Sequence, residues 1–282
     1  PPGFCKNGGE ERQAALPNIA FNYQQVPGDP RRYGSGVVFN ALAAADYARF
    51  NPGVLGLGDI ARGGAYLQAL AAFFDLEGFT DFCGQVDSHL VIPEFLTRYL
   101  HWLFETLAGE FREGEAGGLV RLWGCLPFYA KFLGDGILFL WETDQCRGLP
   151  GKVNIAQSLL AVTNSYLQTF LPEIRRAVSH PPGRLRCGIA LGQIISIGGG
   201  ADYVGSCINV ASRLQKMGRL SFAVSRRGFD LDESPATEGS LRSFLTLKRT
   251  AIRSIGDQEL VYIRKDEFAA LGSADRRDFA DP

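Results

Sequence analysis

Residues 70–80 read Leu-Ala-Ala-Phe-Phe-Asp-Leu-Glu-Gly-Phe-Thr. An apolar run, Leu70 to Phe74, stops at an acid, Asp75, and Gly78 and Thr80 follow within a turn's length. Short apolar runs bounded by turn residues form buried strands, so Asp75 stands at the rim of a core, where a ligand can reach it. Backbone N–H groups around Gly78 are placed to cradle an anion. Taken alone, the pattern describes an ordinary strand end with a solvated carboxylate equally well. The decision rests on whether the rest of the chain supplies partners for Asp75.

Composition sets the frame for those partners. The 282 residues are 46% hydrophobic and 21% charged, enough for one large domain, or a domain with an arm, around a substantial core. The net charge of −1, with no basic stripe interleaved with aromatics, argues against nucleic acid as a partner, since that binding needs several phosphate contacts. Six cysteines (Cys5, Cys83, Cys125, Cys146, Cys187, Cys207) are spread without a C-x-x-C pair, which is not the spacing of a disulfide scaffold. No apolar run approaches a membrane span and no signal peptide is visible, so the expectation is a reduced, cytoplasmic protein.

Residues 1–65 are rich in Pro, Gly, Asn and Arg and have too few apolar residues for a core of their own. They read as an arm or cap, with a short helix over 41–50. Gly56 to Gly64 contains Gly-Leu-Gly-Asp but lacks the lysine and preceding strand of a phosphate loop, so it reads as a linker. Ile92, Phe95, Leu96, Tyr99, Leu100, Leu103 and Leu107 recur at helical spacing, and Pro93 predicts a helix start near itself. His101, alone on this helix, takes no role. A short strand is predicted over 119–123.

Residues 128–141 place two apolar strands around Gly134-Asp135-Gly136, a tight hairpin carrying a second carboxylate. Lys131 interrupts the first of them; it is either an edge residue pointing to solvent or a buried cation that needs a partner. A second long helix is predicted over 154–178, kinked by Pro172. A bent strand or strand pair follows over 186–197, then a loop through Asp202 that becomes helical near Ser206. Asn209 and Arg213, four residues apart, share one face of that helix. Strands are predicted over 221–225, 243–247 and 259–264, with a loop over 230–239. The tail after Gly272 is small and charged and predicts disorder.

In order, an acid ends a strand before Gly-Phe-Thr, a second acid sits in Gly-Asp-Gly, and Asp-x-x-Gly-x-x-x-Asn-x-x-x-Arg follows. Over residues 68–265 this resembles the catalytic domain of class III nucleotidyl cyclases, the adenylyl and guanylyl cyclase family. The resemblance implies an α+β, ferredoxin-like βαββαβ core at 66–268, an N-terminal arm at 1–65 and a disordered tail at 269–282. It also implies a head-to-tail homodimer with two shared sites. Carried over residue by residue, Asp75, Asp135 and the carbonyl of Leu76 look like the ligands of two Mg²⁺ or Mn²⁺ ions. Gly78, Phe79 and Thr80 look like the triphosphate cradle. Asn209 is similar to the asparagine that orients the ribose, and Arg213 to the arginine that meets charge at the α-phosphate. Arg253 stands about where the family has a phosphate-binding lysine.

Lys131 and Asp202 match the base-reading positions of adenylyl cyclases. Lysine offers only donors and ionised aspartate only acceptors, a pair that suits adenine, cytosine or uracil better than guanine. The chain also resembles the compact, stand-alone pyrimidine cyclases of Pycsar antiphage systems, around Phe-Asp-Leu-Glu-Gly-Phe-Thr and Gly-Asp-Gly-Ile-Leu-Phe-Leu-Trp. That likeness implies cyclic UMP, or next cyclic CMP, read by a separate effector, and phage infection as the trigger. Phe128 and Tyr129 are candidates for narrowing the base pocket towards a pyrimidine. The remaining readings are an adenylyl cyclase with the same machinery and a silent, cyclase-like regulatory module.

Overall fold

The computed structural model describes residues 22–61, 63–146, 148–231 and 240–282. Most of the segment read as a loop over 230–239 therefore lies outside the described residues. The chain divides into two compact units, one of residues up to Gly64 together with Ser196–Tyr203, the other of Ala65–Ile195 and Val204–Pro282. In the smaller unit, β1 (Gln24–Pro27) and β2 (Val38–Ala41) form an antiparallel hairpin. A helical turn follows at Ala44–Ala48, inside the range where the sequence predicts one. None of its described residues is buried.

The larger unit begins with β3 (Tyr66–Glu77), in which the Leu70–Phe74 run is completely or nearly completely buried. Helix α1 (Ser88–Phe111) leads to a small separate hairpin, β4 (Arg112–Ala116) and β5 (Leu119–Leu122). β6 (Tyr129–Phe132) and β7 (Gly136–Glu142) form the second predicted hairpin, and helix α2 (Gly148–Ser165) leads on to β8 (Arg184–Ile197). These four strands lie in the order β6-β7-β3-β8, each antiparallel to its neighbours, with α1 and α2 as the two crossovers. That is the ferredoxin-like βαββαβ topology read from the sequence.

Alternation along the strands separates two faces. Leu70, Ala72, Phe74 and Leu76 of β3, Ile137, Phe139 and Trp141 of β7, and Cys187 and Ile189 of β8 belong to the main core under α1 and α2. Phe95, Tyr99, Trp102, Tyr166 and Phe170 fill the gap between the helices as an aromatic cluster with ring centroids 4.9–6.4 Å apart. Ala69, Ala71, Phe73 and Asp75 point to the opposite face.

Beyond β8 the chain forms β9 (Asp202–Gly205), paired with β8 where a loop was expected. Helix α3 (Ser206–Leu214) and strands β10 (Phe222–Ser225), β11 (Leu245–Ile252), β12 (Gly256–Arg264) and β13 (Phe279–Ala280) follow, giving a nine-stranded mixed sheet. α3 lies on the face opposite the main core, over β8, where only glycine fits. A Cβ on Gly188 would overlap the Ala211 carbonyl and lie 2.5 Å from the Gln215 nitrogen.

Three local expectations are corrected. α1 begins at Ser88, five residues before the predicted start, with Pro93 inside it. The carbonyl that Pro93 fails to bond belongs to His89, in the exposed first turn, where water can replace the lost donor. After α2 the helix passes through a wide π-turn at Tyr166–Phe170 before Pro172, which relieves the ring's demand on the preceding turn. The tail is ordered rather than disordered. Phe279 packs edge-on to Phe268 with ring centroids 5.8 Å apart, Lys248 pairs with Asp281 at 2.6 Å, and β13 adds to β11 as the sheet's edge.

Candidate active site

Asp75 and Asp135 are brought together by register. Asp75 stands opposite Gly136 in the β3/β7 ladder, and the Leu76 N–H donates to the Asp135 carbonyl at 3.1 Å. The turn closes through Leu133 N–H to Gly136 C=O at 2.7 Å, with Gly134 at φ +92°, a conformation that glycine adopts without strain. The Asp135 carboxylate has no hydrogen-bond or ion-pair partner among the described residues and is partly exposed. Asp75 is 2% exposed.

A carboxylate that deep needs compensation, and Arg186 provides it. Arg186 sits directly across from Asp75 in the β3/β8 ladder. Its Nε donates to the carboxylate at 3.1 Å, and a second guanidinium nitrogen forms an ion pair with the same oxygen. The Glu77 carboxylate lies 4.0 Å from Arg186 and 3.3 Å from Arg184. Nothing in the sequence alone singles out Arg186. Its position at a strand start looks solvated until the twelve-residue β3/β8 pairing places it beside Asp75.

Gly78, Phe79 and Thr80 follow β3 directly. Gly78 takes φ +84° and turns the chain into a helical turn at Phe79–Cys83, whose first amides have no intrahelical acceptor. Cys83 lies close enough to feel Asp135: burial first, and the Asp135 charge second, push its thiol upward. Beneath the strand, the Tyr99 hydroxyl is buried with no hydrogen-bond partner among the described residues. Burial, then Tyr166, then Asp75 and Cys187 hold its proton on well above the usual phenol range.

Lys131 faces Leu138, which in turn faces Phe73. Lys131 therefore lies on the same sheet face as Asp75, and β6 is the edge strand at that side. Tyr129 shares this face by alternation, whereas Phe128 falls on the other side and is half exposed. Of Phe128 and Tyr129, only Tyr129 is on the face that carries Asp75 and Lys131. Asp202 belongs to the smaller unit and accepts the Tyr203 N–H at 2.9 Å.

Asn209 and Arg213 project from the exposed face of α3, while Cys207, Val210, Ala211 and Leu214 bury the other. Arg213 and Arg253 line one cavity of about 480 Å³, with Lys216, Arg219, Asp275 and Asp278. Among the described residues, no hydrogen bond or ion pair joins Asn209 or Arg213 to Asp75 or Asp135. The candidate residues thus fall into two groups: two acids joined by the β3/β7 register with a glycine turn after them, and an arginine-rich cavity at the helix that also carries Asn209.

The donor set defines what the first group can hold. Among the described residues, no three or more His, Cys, Asp or Glu side chains converge as metal ligands. Two carboxylates and a backbone carbonyl are hard oxygen donors, a set that fits Mg²⁺ or Mn²⁺ when substrate phosphates and water complete the shell. No helix among the described residues is long and apolar enough to cross a membrane.

Neither a family model nor a curated protein matches the sequence. Solved structures do match the fold. The adenylyl cyclase CyaB from P. aeruginosa is 15% identical, and the match covers 78% of this chain and 100% of that one with a TM-score of 0.53. The guanylyl cyclase Cya2 is 14% identical, over 72% of this chain and 94% of that one, with a TM-score of 0.51. With the β6-β7-β3-β8 order and its two crossovers, the chain has the fold of a class III nucleotide cyclase catalytic domain.

Proposed function

We propose that the protein is a metal-dependent class III nucleotide cyclase that converts a nucleoside triphosphate, UTP ahead of CTP, to the 3′,5′-cyclic monophosphate and pyrophosphate. The observation that carries this reading is the pairing of Asp75 with the Asp135 turn through the β3/β7 register, directly before the Gly78 turn. Asp75, Asp135 and the Leu76 carbonyl would hold two divalent ions, which supply Lewis acidity to the ribose 3′-hydroxyl and the triphosphate.

The chain's own residues supply the rest. Amides of Gly78, Phe79 and Thr80 bind the triphosphate oxygens. Asn209 orients the ribose so that its 3′-oxygen lies in line with the α-phosphorus. Arg213 meets the negative charge that grows on the α-phosphate as pyrophosphate leaves, and Arg253, in the same cavity, holds the outer phosphates. Lys131 donates to O4 of uracil, or N3 of cytosine, and Asp202 accepts from the uracil N3 proton or the cytosine amine.

Likeness to the class III cyclases supports a head-to-tail homodimer in which each site takes its carboxylates from one copy and Asn209 and Arg213 from the other. The preference for a pyrimidine rests on likeness to the Pycsar cyclases, and with it the role of a second-messenger synthase in antiphage defence, read by a separate cyclic-nucleotide-binding effector. ATP is the second reading, because donor and acceptor also satisfy adenine and because CyaB is an adenylyl cyclase. Incubating the pure protein with each triphosphate and Mn²⁺ and resolving the products by chromatography tests all of this. A cyclic UMP peak is expected. Cyclic AMP alone would overturn the pyrimidine reading, and no cyclic product from any triphosphate would overturn the enzyme reading.

A further inference from the structure

The Gly56-Leu57-Gly58-Asp59 loop, which the cyclase reading leaves without a task, makes a close backbone approach within the smaller unit. Gly198 takes φ +58°, and a Cβ there would overlap the Leu57 carbonyl oxygen; its Cα already stands against that carbonyl. From the other side, a Cβ on Gly58 would lie 3.3 Å from the Gly198 carbonyl. Leu57 is partly buried where its neighbours Gly56, Gly58 and Asp59 are exposed. The two backbones are seated on each other with no side chain between them.

What Gly198 leads into gives the contact its consequence. The turn Ile197–Gly200 closes with Gly200 N–H donating to Ile197 C=O at 3.1 Å, and Gly199 and Gly200 also take positive φ, +71° and +98°. A Cβ on Gly200 would meet the Tyr203 hydroxyl at 3.3 Å, so the turn is folded back on Tyr203. Asp202 lies between them. Three consecutive glycines form a segment with unusually wide backbone freedom. Asp202 is the first residue of β9, so pairing with β8 holds it from the strand side only, and on the turn side a further contact is needed to keep it in place for reading a base.

We propose that the Gly56–Asp59 loop is a positioning element for base selection: Leu57 seats against Gly198 and so fixes the turn that presents Asp202. The inference rests on the reading of Asp202 as the base acceptor. It gives the N-terminal segment a role in which triphosphate is chosen, rather than in the chemical step. Gly198→Ala forces Leu57 and the turn apart. Gly199→Ala is the matched control, since it carries the same positive-φ strain but its Cβ would meet nothing within 4 Å.

Two readouts test the proposal on the full chain. Hydrogen exchange of amides 199–203 should rise at least about tenfold in Gly198→Ala and stay near wild type in Gly199→Ala. The ratio of kcat/KM between UTP and ATP should move by about tenfold in Gly198→Ala, the worth of one mis-set hydrogen bond, and hold in Gly199→Ala. Unchanged exchange in Gly198→Ala, or an equal rise in Gly199→Ala, would overturn the clasp whatever the activity. An unchanged ratio in Gly198→Ala while Asp202→Asn shifts it would overturn the positioning role and leave base reading by Asp202 intact. An unchanged ratio in Asp202→Asn would overturn that base reading, and this inference with it.

Discussion

Replacing Arg186 by methionine removes the cation that compensates Asp75 while keeping a stem of similar bulk. Asp75 is 2% and Arg186 17% exposed at the side chain, so the variant strands a carboxylate with little access to water. Breaking a buried pair from one side costs about 3–5 kcal/mol. Arg186 reaches solvent at its edge, which favours the lower end, about 3 kcal/mol. In a unit of this size that is a fall of roughly 6–12 °C in Tm. Asp75→Asn in the Arg186→Met background removes the stranded charge and should recover most of the loss. Mn²⁺ should raise the Tm of Arg186→Met more than that of wild type, because the ion no longer competes with the guanidinium. Thermal unfolding of the three proteins, with and without Mn²⁺, reads all of this. An Arg186→Met protein melting within about 1 °C of wild type, or a double variant no more stable than the single one, would refute the claim that Arg186 compensates Asp75.

Three further outcomes follow from the packing. Gly188→Ala should cost several kcal/mol in urea unfolding, since its Cβ would overlap the Ala211 carbonyl, and a folded remnant should lose activity because α3 carries Asn209 and Arg213. Tyr99→Phe removes a buried hydroxyl with no partner among the described residues, so stability should be unchanged or higher by about 1 kcal/mol; a clear loss would mean that the hydroxyl has a bound water. Lys131→Glu exchanges donors for acceptors on the Asp75 face of β6, so product formation from UTP should fall steeply and use of GTP should rise relative to it, measured by product chromatography.

The core of the fold was legible because its signals are local and agree with one another. The Leu70–Phe74 run and the Gly134-Asp135-Gly136 turn each specify a strand and its end, and alternation then places Asp75 on the face away from the main core. Arg186 was not legible, because its partner is 111 residues away in sequence and only register joins them. A usable signal was there: Asp75 follows a fully apolar run, so it needed a cation, and Arg186 precedes Gly188 on the same face of an apolar strand. Pro93 misled because a rule about helix starts ignores whether water can reach the unbonded carbonyl. The tail misled because Phe279 is a lone aromatic among charges, and its value comes from Phe268, which folding brings beside it. The grouping of Arg253 with Arg213 depends on the β11/β12 turn and the end of α3 reaching the same cavity, which no spacing in the sequence encodes.

Asp75→Ala and Asn209→Ala proteins, each inactive alone, are mixed under conditions that exchange subunits, and cyclic nucleotide formation is followed with Mn²⁺ and UTP. Random exchange puts half the chains into mixed dimers with one intact site each, so activity should return to about a quarter of the wild-type level. No cyclic product from the mixture, with exchange verified by native mass spectrometry and wild type active, would contradict a site shared between two chains.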